Sequence, residues 1–322
     1  MGILTMTRRK FALYFSWSRP REIGSELGVL ENRFPTLFEF RRAIWPLYEW
    51  ANDPANHKQD ISGFLDHVIL FDFQKFNKVI MEATGNPVAI IQREGDTPPV
   101  KELDEDFLRD IDTLIIVSLD HYKTEQQATQ GEIEAVRHFL ERENACLIVC
   151  PHHDVGSLSD QNSREVELLH HGDRMVPSQQ RIGGFARSIL NALGIPLENK
   201  FGLNPGRAKD GSPALLDVRA DLDVLKVLKG VQTFNLHPHL PHFQISQSAK
   251  IPIHVLAKQQ INRDSTRHPF TDAGNSYFNA FCWIPSVGSR AGNVFVCDAT
   301  LWSAAFNGIE SLTALWKNLA EL

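Results

Sequence analysis

The sequence predicts an α/β protein with an open, mostly parallel β-sheet and helices on both faces. From residue 66 onwards, apolar segments typical of buried strands alternate with segments of helical periodicity. The apolar segments show little polar alternation, as expected for strands covered on both faces. The length of 322 residues suits one elaborated domain of this class, and a hydrophobic content of 43% is ordinary for a globular chain.

The predicted elements follow one another as strand and helix up to about residue 150. The predicted strands are 11–17, 66–72, 88–92, 113–118 and 145–150. The predicted helices are 75–82, 101–110 and 124–142, the last with Thr124 and Gln127 as a capping box. Further along, the pattern predicts a helix over 181–193, short strands over 231–236 and 253–256, a strand over 293–297 and a closing helix over 301–322.

The sequence divides into an N-terminal extension and one domain that contains an insertion. Residues 1–65 form an N-terminal extension that is expected to pack on the main domain. Residues 66–322 form the α/β domain, with an insertion around 151–290 whose first part, 151–180, is polar and suits a lid or inserted loop.

Composition excludes several classes of protein. The formal net charge of −6 argues against a nucleic-acid binder, which normally carries a basic excess. No apolar run is long enough to span a bilayer, and residues 1–6 are too short for a signal-peptide core, so a cytoplasmic protein is expected. The four cysteines lie in apolar, strand-like segments without CxxC spacing, which favours buried, reduced thiols.

The segment Ala145-Cys-Leu-Ile-Val-Cys-Pro-His-His-Asp154 is the strongest indication of a site. It is a predicted strand that ends in His152, His153 and Asp154. In open α/β sheets, ligands bind just beyond the carboxyl ends of the strands. The alternative is that Asp154 caps a helix while the two histidines line a polar loop.

Other polar residues at predicted strand ends extend this candidate site. His237 and His239 lie in a proline-stiffened His-Pro-His-Leu-Pro-His segment, and Asp298 follows the last strand. Imidazoles with a carboxylate are the usual ligands of zinc or non-haem iron, so the predicted metal ligands are His152, His237, His239 and Asp298. The predicted catalytic residues are His153, Asp154 and His121.

Several of these residues also have simpler interpretations. The spacing matches no recognised metal motif, and Asp298 is equally suited to cap a helix. Arg263, Arg267 and His268 suit an anionic substrate, although a solvated loop is the simpler interpretation. His170 and His171 are expected in a solvated loop, and His254 in the core.

Three segments resemble the class I glutamine amidotransferase-like fold, in the branch that lacks the nucleophile elbow. They are a strand ending in Phe71-Asp72 with Asn77 after it, the run from Thr124-Glu125-Gln126 to Cys146–Cys150, and the terminal Gly292–Asp298 strand followed by Ser303 and Phe306. The resemblance implies a flavodoxin-like sheet. In catalytic members, a nucleophilic cysteine occupies the position of Cys150.

This chain departs from those members directly after Cys150. Pro151 has no backbone N–H, so it cannot supply the oxyanion donor that the residue after the nucleophile usually provides. Glutaminase chemistry is therefore not expected, and Cys150 is expected in the core.

The sequence favours a metal-dependent hydrolase of a small organic amide, ester or ring, which acts through a metal-activated water. A metal-free His/Asp acid–base hydrolase, a non-haem iron dioxygenase and a non-enzymatic binding module remain open. The expected partner is a small-molecule substrate, without nucleic acid or membrane, and a homo-oligomer is left open.

Overall fold

The structure is a computed structural model that describes residues 9–18, 21, 73–95, 98–120, 126–155, 161–171 and 180–322. Its strands are β1 Phe11–Ser18, β2 Ala89–Glu94, β3 Thr113–Ser118, β4 Cys146–Pro151, β5 Asp154–Val155, β6 Gln180–Arg181, β7 Leu197–Leu203, β8 Asp217–Val218, β9 Leu240–Ile245, β10 His254–Gln260, β11 Tyr277–Ile284 and β12 Asn293–Cys297. Its helices are α1 Gln74–Thr84, α2 Glu105–Arg109, α3 Gln130–Phe139, α4 Gln161–His171, α5 Gly184–Ala192, α6 Pro269–Asp272 and α7 Ile309–Ala320, with a 3₁₀ helix at Ala299–Trp302.

The main sheet has eight strands in the order β2-β1-β3-β4-β12-β11-β10-β8. The first five are parallel to one another, whereas β11, β10 and β8 extend the sheet in antiparallel fashion. Two small antiparallel sheets, β5-β6 and β7-β9, lie in the predicted insertion. The predicted α/β class with a mostly parallel open sheet is thus confirmed.

Both faces of the sheet are buried, as the apolar strands predict. In β1, Phe11, Leu13 and Phe15 belong to one hydrophobic cluster, whereas Ala12 and Tyr14 belong to a second one. Since successive side chains of a strand point to opposite faces, the two clusters cover the two faces. Helices on each side complete the layers.

The strand β1 pairs in parallel with β2 on one side and β3 on the other. The sequence predicts these residues in an extension that packs on the domain, but β1 is part of the sheet itself. The rest of the predicted extension, apart from residues 9, 10 and 21, lies outside the described residues, as does the strand predicted over 66–72.

Three predicted elements differ from the structure. The helix predicted over 124–142 begins at Gln130, because Thr129 and Glu132 form the capping box. No strand forms over 231–236, where the backbone N–H groups of Gln232 and Thr233 instead donate to the Ser311 hydroxyl. The closing helix is divided in two by residues 303–308.

Gly308 explains where the second part of that closing helix begins. It is the N-cap of α7 and has a φ of 72°, which favours glycine. A Cβ at this position would stand 2.6 Å from the Phe234 carbonyl oxygen. The glycine therefore lets α7 start close against the segment that leads to His237.

A buried ion pair joins β2 to α3. The Arg93 guanidinium donates two hydrogen bonds of 3.0 Å to the Glu132 carboxylate, and the Tyr14 hydroxyl lies 2.8 Å from the same carboxylate. Glu132 also accepts the Thr129 N–H as part of the capping box. Burial raises the pKa of Tyr14, and the Glu132 charge raises it further.

None of the helices in the described part of the chain is both long and apolar enough to cross a membrane.

Candidate active site

The candidate site lies where β4 and β12 end side by side. These strands are parallel neighbours, with Val149 opposite Val296. The residues that follow them therefore emerge at the same edge of the sheet, although they are far apart in sequence. This places His152 beside Asp298, as the strand-end argument predicted.

His152 and Asp298 form a buried pair. The His152 Nδ1 lies 2.7 Å from the Asp298 Oδ2, and the two side chains are 9% and 5% exposed. The other carboxylate oxygen, Oδ1, accepts from the Thr300 N–H at 2.9 Å and from the Thr300 hydroxyl at 2.5 Å. Asp298 thus caps the 3₁₀ helix, which is one of its two interpretations from the sequence, and it also orients the His152 imidazole.

The surroundings of Asp298 favour its charged form. Burial alone would raise the pKa of this carboxyl, but the charge and hydrogen bond of His152 outweigh it, with smaller contributions from His237 and Thr300. The net result is a pKa below the ordinary value. A carboxylate behind Nδ1 also keeps the proton on that nitrogen, which leaves Nε2 as the basic one.

Four imidazoles, including that of His152, lie together at this site. The centre of the His152 ring is 4.4 Å from that of His153 and 5.2 Å from that of His237. The His239 ring lies 5.5 Å from His153 and 6.0 Å from His237. The structure therefore brings together five of the residues predicted for the site.

His237 is neutral at physiological pH. Burial lowers its pKa to about 3, assisted by the nearby His152 and opposed by Asp298. Its Nδ1 is buried and has no hydrogen-bond partner among the described residues. The Phe306 ring packs nearly perpendicular to the His237 ring, with ring centres 4.5 Å apart. A buried ring nitrogen without a partner is costly unless a ligand or water satisfies it.

Two residues that the sequence analysis did not single out hold the site together. The fully buried Asn235 donates to the Thr300 hydroxyl at 2.9 Å and accepts the His237 N–H at 3.2 Å. Thr300 in turn donates to Asp298. The position of Thr300 two residues after a strand-ending aspartate was the available signal for this role.

The backbone of the histidine segment is itself unusual. His239 has a φ of 74°, a conformation that costs a non-glycine residue free energy. Such backbone strain clusters at functional sites and persists where neighbouring structure enforces it. Here the flanking residues Pro238 and Pro241 stiffen the chain, and Leu240 begins β9.

Close packing fixes the backbone at the C-terminal end of β4. Asn199 of β7 donates to the His152 carbonyl oxygen. Gly183 has a φ of 98°, and a Cβ there would stand 2.9 Å from the Pro151 Cβ. The position of His152 therefore depends on glycine at residue 183.

Replacing Gly183 with Ala is expected to lower the free energy of unfolding by about 1–3 kcal/mol, because an L side chain is strained at this φ and collides with Pro151. Gly194→Ala is the matched control, since Gly194 has a φ of 66° but open space around its Cβ position. Urea unfolding of both variants measures the difference. Equal losses in the two variants would show that contact with Pro151 contributes nothing.

Cys150 is a core residue, as predicted. It is fully buried, its Sγ accepts from the Trp302 indole N–H at 3.1 Å, and Pro151 continues the strand after it. All four cysteines are free and buried. The β4 end therefore lacks the sharp turn that exposes a nucleophile.

The predicted metal ligands converge but do not form a ready metal site. Among the described residues, no group of three or more His, Cys, Asp or Glu side chains is arranged to hold an ion. Both Asp298 oxygens already bind within the protein, so this carboxylate stands behind His152 rather than in a ligand position. The zinc or iron cofactor remains a hypothesis.

The remaining predicted site residues have different surroundings. Asp154 is partly buried in β5, whose backbone pairs with Arg181. Arg263 and Arg267 are exposed, and Arg267 forms an ion pair of 2.7 Å with Asp272. His268 is buried and caps α6 by accepting the Phe270 N–H. His121 lies outside the described residues.

The crevice between β1 and β3, where the strand order reverses, is filled by the protein itself. The buried Asp120 carboxylate accepts from the Ser16 and Ser118 hydroxyls and from the Phe185 N–H in the first turn of α5. A carboxylate thus occupies the place at a helix N-terminus where an anionic ligand binds in many α/β folds. The β4–β12 edge is consequently the better candidate.

Comparisons with known proteins identify no family. No protein-family model and no curated protein matches the chain. Among solved structures, the chain is similar to the "mmIFT52 N-terminal domain", with 9% identity and a TM-score of 0.43 over 76% of this chain and 86% of that one. So remote a similarity carries no functional argument, and the fold class rests on the sheet described above.

Proposed function

We propose that this protein is a hydrolase of a small organic amide, ester or ring, in which His152 acts as the general base. The observation that carries the proposal is the buried His152–Asp298 pair at the carboxyl ends of two adjacent parallel strands. A carboxylate that orients an imidazole recurs in acid–base sites on unrelated folds.

The chemistry assigned to each residue follows from the pair. Asp298 fixes the His152 tautomer and stabilises the imidazolium that forms when Nε2 removes a proton from water. Among the described residues, the hydrogen bond of the His152 ring is made through Nδ1, which leaves Nε2 for this step. His237, neutral at pH 7, supplies a hydrogen-bonding nitrogen to the substrate without adding charge.

Within α/β proteins, we place the chain in the glutamine amidotransferase-like fold, in the branch without a nucleophile elbow. The buried Cys150 and the continuation of β4 through Pro151 support this placement. The mechanism proposed here therefore uses a water molecule in place of a cysteine nucleophile.

A metal-dependent hydrolase is the second candidate. The convergence of four imidazoles favours it, as does the carboxylate behind His152, an arrangement typical of metal-bound histidines. The absence of a preformed ligand set among the described residues ranks it below the metal-free form. A non-enzymatic binding module is the alternative from a different class.

Replacing His152 with Ala is expected to reduce kcat by about 10²–10⁴-fold, and Asp298→Asn to cause a loss of similar size through the wrong tautomer. Hydrolysis of p-nitrophenyl acetate and of a panel of lactones, cyclic imides and small amides would be measured. His138→Gln, on an exposed helix surface, is the matched control and should leave turnover unchanged.

Elemental analysis of the same preparations separates the candidates. The proposal requires turnover in protein that contains no stoichiometric metal. The metal-dependent form would be established instead if turnover required a bound metal and if the His152→Ala and His237→Ala variants had lost that metal. Ligand binding without turnover of any substrate, unaffected by Asp298→Asn, would favour a binding module.

A further inference from the structure

A cavity of about 740 Å³ lies at the outer side of the main sheet, where β2 is the edge strand. Its floor includes Tyr14 of β1 and Ile91 of β2, and its walls are the segment 99–107 and the first two turns of α3. None of the described residues that line it belongs to the candidate active site. The volume lies in the range of cavities that hold ligands in proteins.

Much of the lining of this cavity is apolar. Ile91 and Phe107 are only partly buried, and both pack against the hydrophobic cluster that contains Tyr14. Val100 is 41% exposed, and Ala135 of α3 lines the other wall. The cavity therefore offers a surface from which the apolar side chains of a ligand can displace water.

Exposed carboxylates surround this apolar lining. Glu102, Asp104 and Glu134 all line the cavity and are exposed, and we call these three residues the acidic rim. Among the described residues of the lining, Lys101 is the one basic residue. The rim therefore gives the cavity an excess of negative charge.

Neutral donors bind two of the three carboxylates of the rim. Asp104 accepts the Phe107 N–H at 2.7 Å as the N-cap of α2, and Glu134 accepts the side-chain amide of Gln130 at 2.8 Å. Since neither donor is charged, these bonds leave the negative charge of both carboxylates in place.

Cationic partners compensate two other carboxylates only in part. Glu102 lies 4.0 Å from Arg93, which also binds the buried Glu132 at 3.0 Å. One guanidinium is thus opposed by two carboxylates. Glu105 lines the cavity as well, but its carboxylate lies 2.5 Å from the His138 Nδ1 and raises the pKa of that imidazole. We therefore leave Glu105 out of the rim, and the negative excess persists without it.

We propose that this cavity is a docking site for a segment of a partner protein in which lysines or arginines flank apolar side chains. The apolar lining takes up the apolar side chains, and the acidic rim pairs with the flanking cations. The rim lies on two segments, with Glu102 and Asp104 before α2 and Glu134 on α3, so spaced positive charges match it better than one compact cation does.

The net charge argues against a second copy of this chain as the occupant. Each copy carries a formal net charge of −6, so two copies repel each other at long range. The inference does not depend on the proposed hydrolase activity, because the two sites share no described residue.

Selection of a random peptide library, displayed on phage, against the full chain tests the proposal. We expect the enriched peptides to combine apolar residues with an excess of Lys and Arg. Fluorescence anisotropy with the synthetic peptides should show binding that weakens at least about tenfold between about 0.05 M and about 0.5 M NaCl. The proposal is overturned if no peptide is enriched, if the enriched peptides lack a basic excess, or if their binding resists salt.

Gly131→Leu tests whether these peptides bind in the cavity. Gly131 lines the cavity on α3, and a Cβ there meets only the Thr129 Oγ1, at an ordinary 3.9 Å. Leu also suits a helix better than Gly, so the fold should tolerate this change. The larger side chain should weaken binding at least about tenfold, whereas Gly131→Ala, the matched control, should retain most of it.

The charge of the rim is tested separately. Glu102→Gln combined with Glu134→Gln should weaken binding about tenfold, because two ion pairs with the peptide are lost. Glu82→Gln, at an exposed position on α1, is the control and should bind as the natural chain does. Equal binding by Gly131→Leu and by the double variant would place the peptides elsewhere and overturn the proposal. Self-association of the chain that Gly131→Leu abolishes would place a second copy in the cavity and would also overturn it.

Discussion

Replacing Glu132 with Gln is expected to lower the free energy of unfolding by about 3–5 kcal/mol, the largest single loss that we expect in this protein. The Glu132 side chain is fully buried, and that of Arg93 is 9% exposed. Removing the negative charge leaves the buried guanidinium with only the half-exposed Glu102 carboxylate, 4.0 Å away, as a counter-charge. The same substitution weakens the Tyr14 hydrogen bond and the capping box of α3.

The loss should be specific to a buried pair. Asp221→Asn is the matched control, because Arg219 and Asp221 form an ion pair of similar geometry on the surface, where both side chains are more than half exposed. Its unfolding midpoint in urea should barely change. The double variant Arg93→Met with Glu132→Leu should recover much of the loss, since neither charge is then left alone. A small effect of Glu132→Gln would mean that water reaches this pair.

Acid is expected to destabilise the fold progressively below about pH 6.5, because His237 and His242 are neutral in the folded state. Their pKa values of about 3 and about 4 lie below that of an unfolded imidazole, so the unfolded chain binds more protons in this range. The stabilisation is fully present above about pH 6.5 and is lost as the pH falls toward the folded values. Each histidine contributes at most about 1.4 kcal/mol per pH unit.

Urea unfolding across this pH range measures the slope. His242→Gln should reduce this slope by the amount that corresponds to the uptake of about one proton on unfolding. His138→Gln should make the slope steeper instead. Glu105 raises the pKa of His138, so the stabilisation from this histidine is present in acid and is lost as the pH rises. A slope that is unchanged in His242→Gln would show that the pKa of this histidine is the same in the folded and the unfolded protein.

The parallel core and the convergence of the candidate site residues could be predicted from the sequence. Strands β3 and β12 are continuous apolar runs buried on both faces, so composition alone defines their bounds. The convergence of His152 with Asp298 followed from the rule that parallel strands end at one edge. Applying that rule requires only the positions at which the strands end, and the first polar residues after each apolar run indicate those positions.

The antiparallel part and the contacts within the candidate site could not be predicted. Strands β7 and β9 contain charged or proline residues and only partial alternation, and their pairing depends on contacts distant in sequence. The sequence predicts Asp298 as a metal ligand, and it does not show that Thr300 donates to the second carboxylate oxygen. His170 was expected in solvent, since a two-sided hydrogen bond to Asn204 and Thr266 has no local signal.

The place of β12 in the sheet has a consequence for biosynthesis. It pairs with β4 in the middle of the sheet, yet the ribosome makes it well over a hundred residues later. Until β12 emerges, β4 presents an open apolar edge of Leu147, Ile148 and Val149, the kind of surface that recruits chaperones or self-associates. The nascent chain can therefore form neither the complete sheet nor the His152–Asp298 pair until β12 has been synthesised.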